Sequence, residues 1–139
     1  MKLRILCVGK LKQSGLEALA ADYIKRSRRH FPIELLHVRD AAALRAKRGS
    51  PHWVLDERGE QLDSETLATG LTRLRDNGVR QLDLLIGDAH GFNDEDRAAA
   101  QRVIGLSRLT LPHRLAQVLL VEQLYRAGTI ADGHPYHHT

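Results

Sequence analysis

Apolar positions in this chain switch repeatedly between the spacing of strands and the spacing of helices. Lys2 to Val8 puts Leu3, Ile5 and Cys7 on one side and Leu6 and Val8 on the other; a strand apolar on both sides belongs inside a parallel sheet. Beyond the loop Gly9-Lys10-Leu11-Lys12, Ser14 and Glu17 have capping-box spacing. The helix they open is expected to run to about Arg29, with Leu16, Leu19, Ala20, Tyr23 and Ile24 inward, and Pro32 stops it. Ile33 to Val38 reads as a second strand, Asp40 to Ser50 as one or two helical turns, and His52 to Leu55 as a third strand. Asp63 or Ser64 caps a helix with Leu67, Leu71 and Leu74 on its inner side, and Asn77-Gly78 ends it. Leu82 to Ile86 is the fourth strand, Gly87 to Gly91 a loop, and Asn93 a cap with Asp94, Glu95 and Asp96 at the positive end of the next helix. The apolar run around Leu109 is expected as the fifth strand.

Pro112 suits the first turn of a last, long helix. Ala116, Leu120, Leu124 and Ala127 form one stripe along it, and Val118, Val121 and Tyr125 form a second. One stripe suffices for a surface helix, so this one packs on two sides. Glu122 and Arg126 stand four apart, where their side chains pair. Strand and helix thus alternate five times, the pattern of an α/β fold in which helices cover both faces of a parallel sheet. No linker or repeat interrupts it, so residues 1–139 read as one domain.

Ligands of such sheets bind beyond the carboxyl ends of the strands. There the loop after Leu55, the loop at Gly87 and the run from Leu106 to Leu111 would converge. The Gly87–Gly91 loop lacks both the dinucleotide glycine spacing and the P-loop lysine, and Asp88 would repel a phosphate. A flavodoxin-like nucleotide-phosphate site is therefore disfavoured. His134, His137 and His138 come without a cysteine or a second ligand cluster, so no metal is expected. Nothing marks a Ser-His-Asp set.

Charge adds a partner class. Residues 1–50 carry 12 Lys and Arg against 4 Asp and Glu, or +8, whereas residues 51–139 carry 9 against 13, or −4. Lys10 and Lys12, Lys25 to Arg29 and Arg45 to Arg48 form the clusters. Such a patch is the footprint of a polyanion, the alternative being solvated helix faces. No aromatic residues interleave with it as a base-stacking platform. Lys2 and Arg4 break the first apolar run, so no signal peptide or membrane span is expected. The single cysteine, Cys7, sits in a core strand and reads as a buried hydrophobe of a reducing compartment, the cytoplasm.

Several segments then fall into one order: Val8-Gly9-Lys10-Leu11-Lys12, Leu55-Asp56, Leu85-Ile86-Gly87, the run from Leu106 to His113, Val121 to Ala127, and His134-Pro135-Tyr136-His137. Together they resemble the RlmH family of SPOUT-class RNA methyltransferases over nearly the whole chain. The resemblance implies a trefoil knot made by the C-terminal segment, a feature too rare to read from periodicity. It implies S-adenosylmethionine held by Leu55, Gly87, Leu106, Ser107, Arg108, Leu109, Thr110 and Leu111, largely through main-chain groups. It implies a homodimer, with the second stripe of the last helix facing the partner; the basic cluster at Lys10 and Lys12 would then meet the RNA. The reaction implied is methylation of N3 of a pseudouridine in 23S ribosomal RNA on assembled ribosomes. An imide nitrogen must lose its proton before attacking a methyl group. His137, with Tyr136 and His134 beside it, is the candidate base or cation.

The chain departs from the family pattern in its short Asp40–His52 segment, in Asp88 where glycine is usual, in His90, and in His138 where Lys or Arg is usual. Asp88 and His138 support an alternative, a non-catalytic RNA- or ribosome-binding protein that keeps the knotted fold.

Overall fold

The computed structural model describes residues 1–10 and 15–138. Its elements are β1 (Lys2–Val8), α1 (Gly15–Arg26), β2 (Ile33–Val38), α2 (Ala41–Lys47), β3 (His52–Gln61), α3 (Ser64–Asp76), β4 (Gln81–Ile86), α4 (Asp94–Ala99), β5 (Arg102–Gly105) and α5 (His113–Ala131), with a 3-10 turn at Ser27–Arg29. The strands form one sheet in the order β2-β1-β4-β3-β5, and every pairing is parallel. The alternation in β1 holds as expected. Leu3, Ile5 and Cys7 join the larger core under α1, α3 and α5, while Leu6 joins Leu44 of α2, Val54 and Leu85 on the opposite face. Cys7 is buried, and burial pushes its thiol far up from its ordinary value.

Helix starts follow the expected chemistry. Asp63 accepts from the Thr66 amide at 2.7 Å to cap α3, and Asn93 exchanges bonds with Asp96 in a complete capping box on α4. Ser14, the expected cap of α1, lies outside the described residues. Leu19 is 43% exposed rather than inward. Polar pairing across the sheet is equally specific. Arg4 and Asp83 are register partners, and the guanidinium grips the carboxylate at 2.9 and 2.6 Å. The Asp83 side chain is 1% exposed and also accepts from the Gly49 amide at 2.6 Å. Burial pushes its carboxyl upward, but Arg4, Gly49 and Gln81 outweigh that and hold it below the usual range.

The third strand, expected over His52–Leu55 with a polar loop after it, runs on to Gln61, and two larger expectations need correction. The fifth strand is Arg102–Gly105, and Leu109 lies in the following loop, 77% exposed. Leucines at 106, 109 and 111 follow no strict alternation, and the strand ends at Gly105. β3 pairs with β5 twice, Leu55 with Ile104 and then, after a register shift, Glu60 with Ile104 and Gln61 with Gly105. Residues 56–59 arch over β5. A Cβ on Gly59 would lie 2.6, 2.7 and 2.8 Å from the C, N and Cα of Ile104, so only glycine fits the crossing.

The second correction concerns α5. Leu120, Val121, Leu124 and Ala127 enter the main core. Val118 packs with Ala20 of α1, and Tyr125 lies with its ring centroid 5.7 Å from that of Tyr23. The second stripe is covered by the same chain, so it needs no partner to bury it.

Candidate active site

Strand order decides where a site can form. Because β4, β3 and β5 are neighbours, the segments after Ile86, Leu55 and Gly105 leave the sheet side by side. Between them lies a cleft of about 460 Å³, within the range of small-molecule sites. It is lined by the arch Leu55–Arg58, the loop Ile86–Phe92, Arg97, and Leu106, Ser107, Leu109, Thr110 and Leu111, together with His113 and Ala116 of α5. Thus seven expected ligand-binding residues line one cleft: Leu55, Gly87, Leu106, Ser107, Leu109, Thr110 and Leu111. Arg108 is not among its walls.

Local bonds set the shape of each wall. The Asp88 carboxylate accepts from the His90 amide at 2.9 Å and turns its loop. A Cβ on Gly87 would stand 3.2 Å from the Phe92 ring, so bare backbone faces that side. Ser107 Oγ accepts from the Leu109 amide at 2.9 Å. Arg97 clasps two walls, donating through Nη1 to Asp56 at 3.1 Å and to the Phe92 carbonyl at 2.6 Å. His113 Nε2 stands 2.5 Å from the Val8 carbonyl oxygen, and the Gln117 amide reaches the Gly9 carbonyl at 3.4 Å. The β1 loop that leads to Lys10 is therefore moored to α5. Lys10 is exposed there; Lys12 lies outside the described residues. Sequence reading missed Arg97 and the mooring role of His113, because their contacts to Asp56 and Val8 span many residues; Asp56 lies in the loop after Leu55 that is expected at the site. The Asp94–Arg97 spacing was the only local signal.

The expected catalytic tail is elsewhere within the chain. Tyr136 donates its hydroxyl proton to Glu122 Oε1 at 2.9 Å, and its ring stacks edgewise on Tyr125 with centroids 4.7 Å apart. Arg126 grips the same Glu122 oxygen at 3.0 and 2.7 Å, so the expected pair forms. Arg126 Nη1 lies 3.0 Å from His137 Nδ1. Burial, then bonds to Tyr23 and Glu122, pushes the Tyr136 phenol above its ordinary value. His134 accepts from the Tyr136 amide at 3.2 Å. The structure brings His134, Tyr136 and His137 together, but against α5 rather than in the cleft of their own chain.

Much of the N-terminal basic charge is also spoken for. Arg4 binds Asp83, and Arg45 binds Asp96 through two bonds of 2.8 Å. Arg26 sits among Tyr23, Tyr125 and Tyr136, its guanidinium carbon 5.2, 4.8 and 5.3 Å from their centroids. Aromatic and basic groups separated in sequence do meet here. Among the described residues, no helix is long and apolar enough to cross a membrane, and no cluster of three His, Cys, Asp or Glu could hold a metal ion.

A sheet of this kind is shared with two solved structures. A probable methyltransferase from Bordetella pertussis Tohama I matches at TM-score 0.58 and 13% identity, over 91% of this chain and 95% of that one. A probable methylase family protein from Haemophilus influenzae Rd KW20 matches at 0.61 and 13%, over 99% and 70%. At such identity the likeness establishes the fold. The chain belongs to the SPOUT methyltransferase family, whose model, described as a predicted SPOUT methyltransferase, matches residues 1–137. Within that class its relatives are specific. It is 44% identical over 143 residues to ribosomal RNA large subunit methyltransferase H of Koribacter versatilis strain Ellin345, covering 99% of this chain and 98% of the relative. The protein of the same name from Geobacter sulfurreducens is 43% identical over 153 residues, at 99% and 100% coverage. The chain is thus a methyltransferase, and its reaction requires a methyl donor.

Proposed function

We infer that the chain transfers the methyl group of S-adenosylmethionine to N3 of a pseudouridine in 23S ribosomal RNA, on assembled ribosomes in the cytoplasm. The relatives' names carry large-subunit ribosomal RNA as the substrate, and the resemblance of the motifs carries the pseudouridine and its N3. The cleft at the tips of β4, β3 and β5 carries the donor. Its volume suits a nucleoside-sized ligand, its leucines offer apolar surface, and Glu57 and Asp88 place carboxylates on its walls beside Arg58, Arg97 and the Arg97-bound Asp56. S-adenosylmethionine supplies an electrophilic methyl group on a sulfonium when bound.

His134, Tyr136 and His137 are bound to α5 away from their own cleft, so the reading includes a homodimer in which one copy's tail completes the other's cleft. There His137 and Tyr136 would orient the imide and favour its anion, and Lys10 would meet the RNA backbone. Calorimetric titration with S-adenosylmethionine, followed by methylation of ribosomes from a strain lacking the modification, tests the proposal. Binding with methyl transfer to a large-subunit pseudouridine is expected. Binding to ribosomes without affinity for the donor would instead establish the non-catalytic alternative.

A further inference from the structure

The hydrogen bonds that hold the tail specify more than its position. A guanidinium carries donors only, so at 3.0 Å from Arg126 Nη1 the Nδ1 of His137 is the acceptor. A neutral imidazole that accepts at Nδ1 bears its proton at Nε2. Arg126 has little freedom to turn away. Its Nε and Nη2 are spent on Glu122 Oε1 at 3.0 and 2.7 Å, and its guanidinium carbon lies 4.8 Å from the Tyr136 ring centroid. Glu122 is held in turn by the Tyr136 hydroxyl at 2.9 Å and, on Oε2, by the Gln123 amide at 2.8 Å. On the far side of the imidazole, Nε2 lies 3.7 Å from Oε1 of the exposed Glu65, beyond hydrogen-bond length. That N–H is left able to turn to another acceptor.

We propose that Arg126 is a positioning residue that locks His137 in the Nε2–H form, so that His137 meets the substrate as a hydrogen-bond donor and not as its base. The inference rests on the reading that His137 serves methyl transfer. In that transfer the imide proton leaves to solvent, the electron pair it leaves on nitrogen forms the bond to the methyl carbon, and the pair of the broken bond stays on sulfur. The Nε2–H faces a carbonyl oxygen that shares the anion's charge, the kind of donor whose removal slows a reaction by a factor on the order of 10².

Two measurements decide it. Glutamine places an N–H near the position of Nε2, asparagine near that of Nδ1, and alanine supplies none. Assayed on ribosomes, His137→Ala and His137→Asn should lose turnover on the order of 10²-fold, and His137→Gln should recover about tenfold of that loss. Affinity for S-adenosylmethionine should stay constant throughout. A glutamine variant as slow as alanine overturns the donor role. An alanine variant with undiminished turnover overturns the underlying reading instead. Nitrogen NMR of the imidazole, assigned by the signal missing in His137→Gln, should show the proton on Nε2 in the unmodified protein, and a mixture of tautomers in Arg126→Met. A proton on Nδ1 in the unmodified protein overturns the proposal without recourse to activity or to the folding of any Arg126 variant.

Discussion

Adding one methyl group at Gly59 should damage this protein more than its size suggests. In Gly59→Ala the new Cβ would sit 2.6 to 2.8 Å from three main-chain atoms of Ile104, whereas unstrained carbon contacts lie at about 3.5–4.0 Å. Gly59 is not among the glycines with positive φ, so the cost is one of space and not of conformation. Neither backbone can step aside alone. Lifting the arch would undo the pairing of Glu60 with Ile104 and Gln61 with Gly105, each bond being worth about 1 kcal/mol. Adding the low end of the usual overpacking cost, roughly 1 kcal/mol, gives at least about 3 kcal/mol in all. With an unfolding entropy of about 2.1 cal/mol/K per residue, that is a fall of roughly 10 °C in Tm for a chain this long. Gly70→Ala is the control. There the close neighbour, at 2.8 Å, is the far end of the Arg102 side chain rather than backbone, and alanine inside α3 gains up to about 1 kcal/mol of helix propensity. Scanning calorimetry of both variants should find Gly70→Ala within a few degrees of the unmodified protein and Gly59→Ala well below it. Because the arch supplies Leu55 to Arg58 to the cleft, the Gly59 variant should also bind the methyl donor more weakly. If the two variants melt alike, or Gly59→Ala melts within about 2 °C of the unmodified protein, the crossing is not a tight one.

Two further outcomes follow from charge. Asp83→Asn should cost about 3 kcal/mol at pH 7, since it leaves Arg4 without its buried partner. The Asp83 carboxyl is held below its ordinary value, so its stabilisation is full above the unfolded value of about 3.9 and is lost as pH falls through the lower folded one. Denaturant midpoints between pH 7 and pH 3 should therefore fall less steeply in Asp83→Asn, and equal slopes would count against the assignment. Lys10→Glu, on the exposed loop moored by His113 and Gln117, should weaken ribosome binding and lower the salt slope by about one unit per lost phosphate contact. An unchanged slope in filter-binding assays would remove Lys10 from the interface.

Local chemistry made most of the elements legible. The double-sided alternation of β1, the caps Asp63 and Asn93, and the i,i+4 pair Glu122–Arg126 all depend on residues within a few positions of one another, and all appear as expected. The converging loops were legible too, because strand ends in a parallel sheet share one edge. The arch over β5 was not. Nothing local distinguishes Gly59 from a turn glycine, and its requirement comes from Ile104, far along the chain. The same holds for Arg97 and for the tail, whose partners were chosen by packing.

The sequence by itself settled periodicity, and with it the α/β class, the inward faces and the strand tips where a ligand could sit. Only the folded chain decided that β4, β3 and β5 lie side by side, that α1 covers the second stripe of α5, and that Arg126 faces Nδ1 of His137. Periodicity is written in neighbours a few residues apart. Strand order and the direction of a side-chain hydrogen bond depend on groups that meet only once the chain has closed on itself.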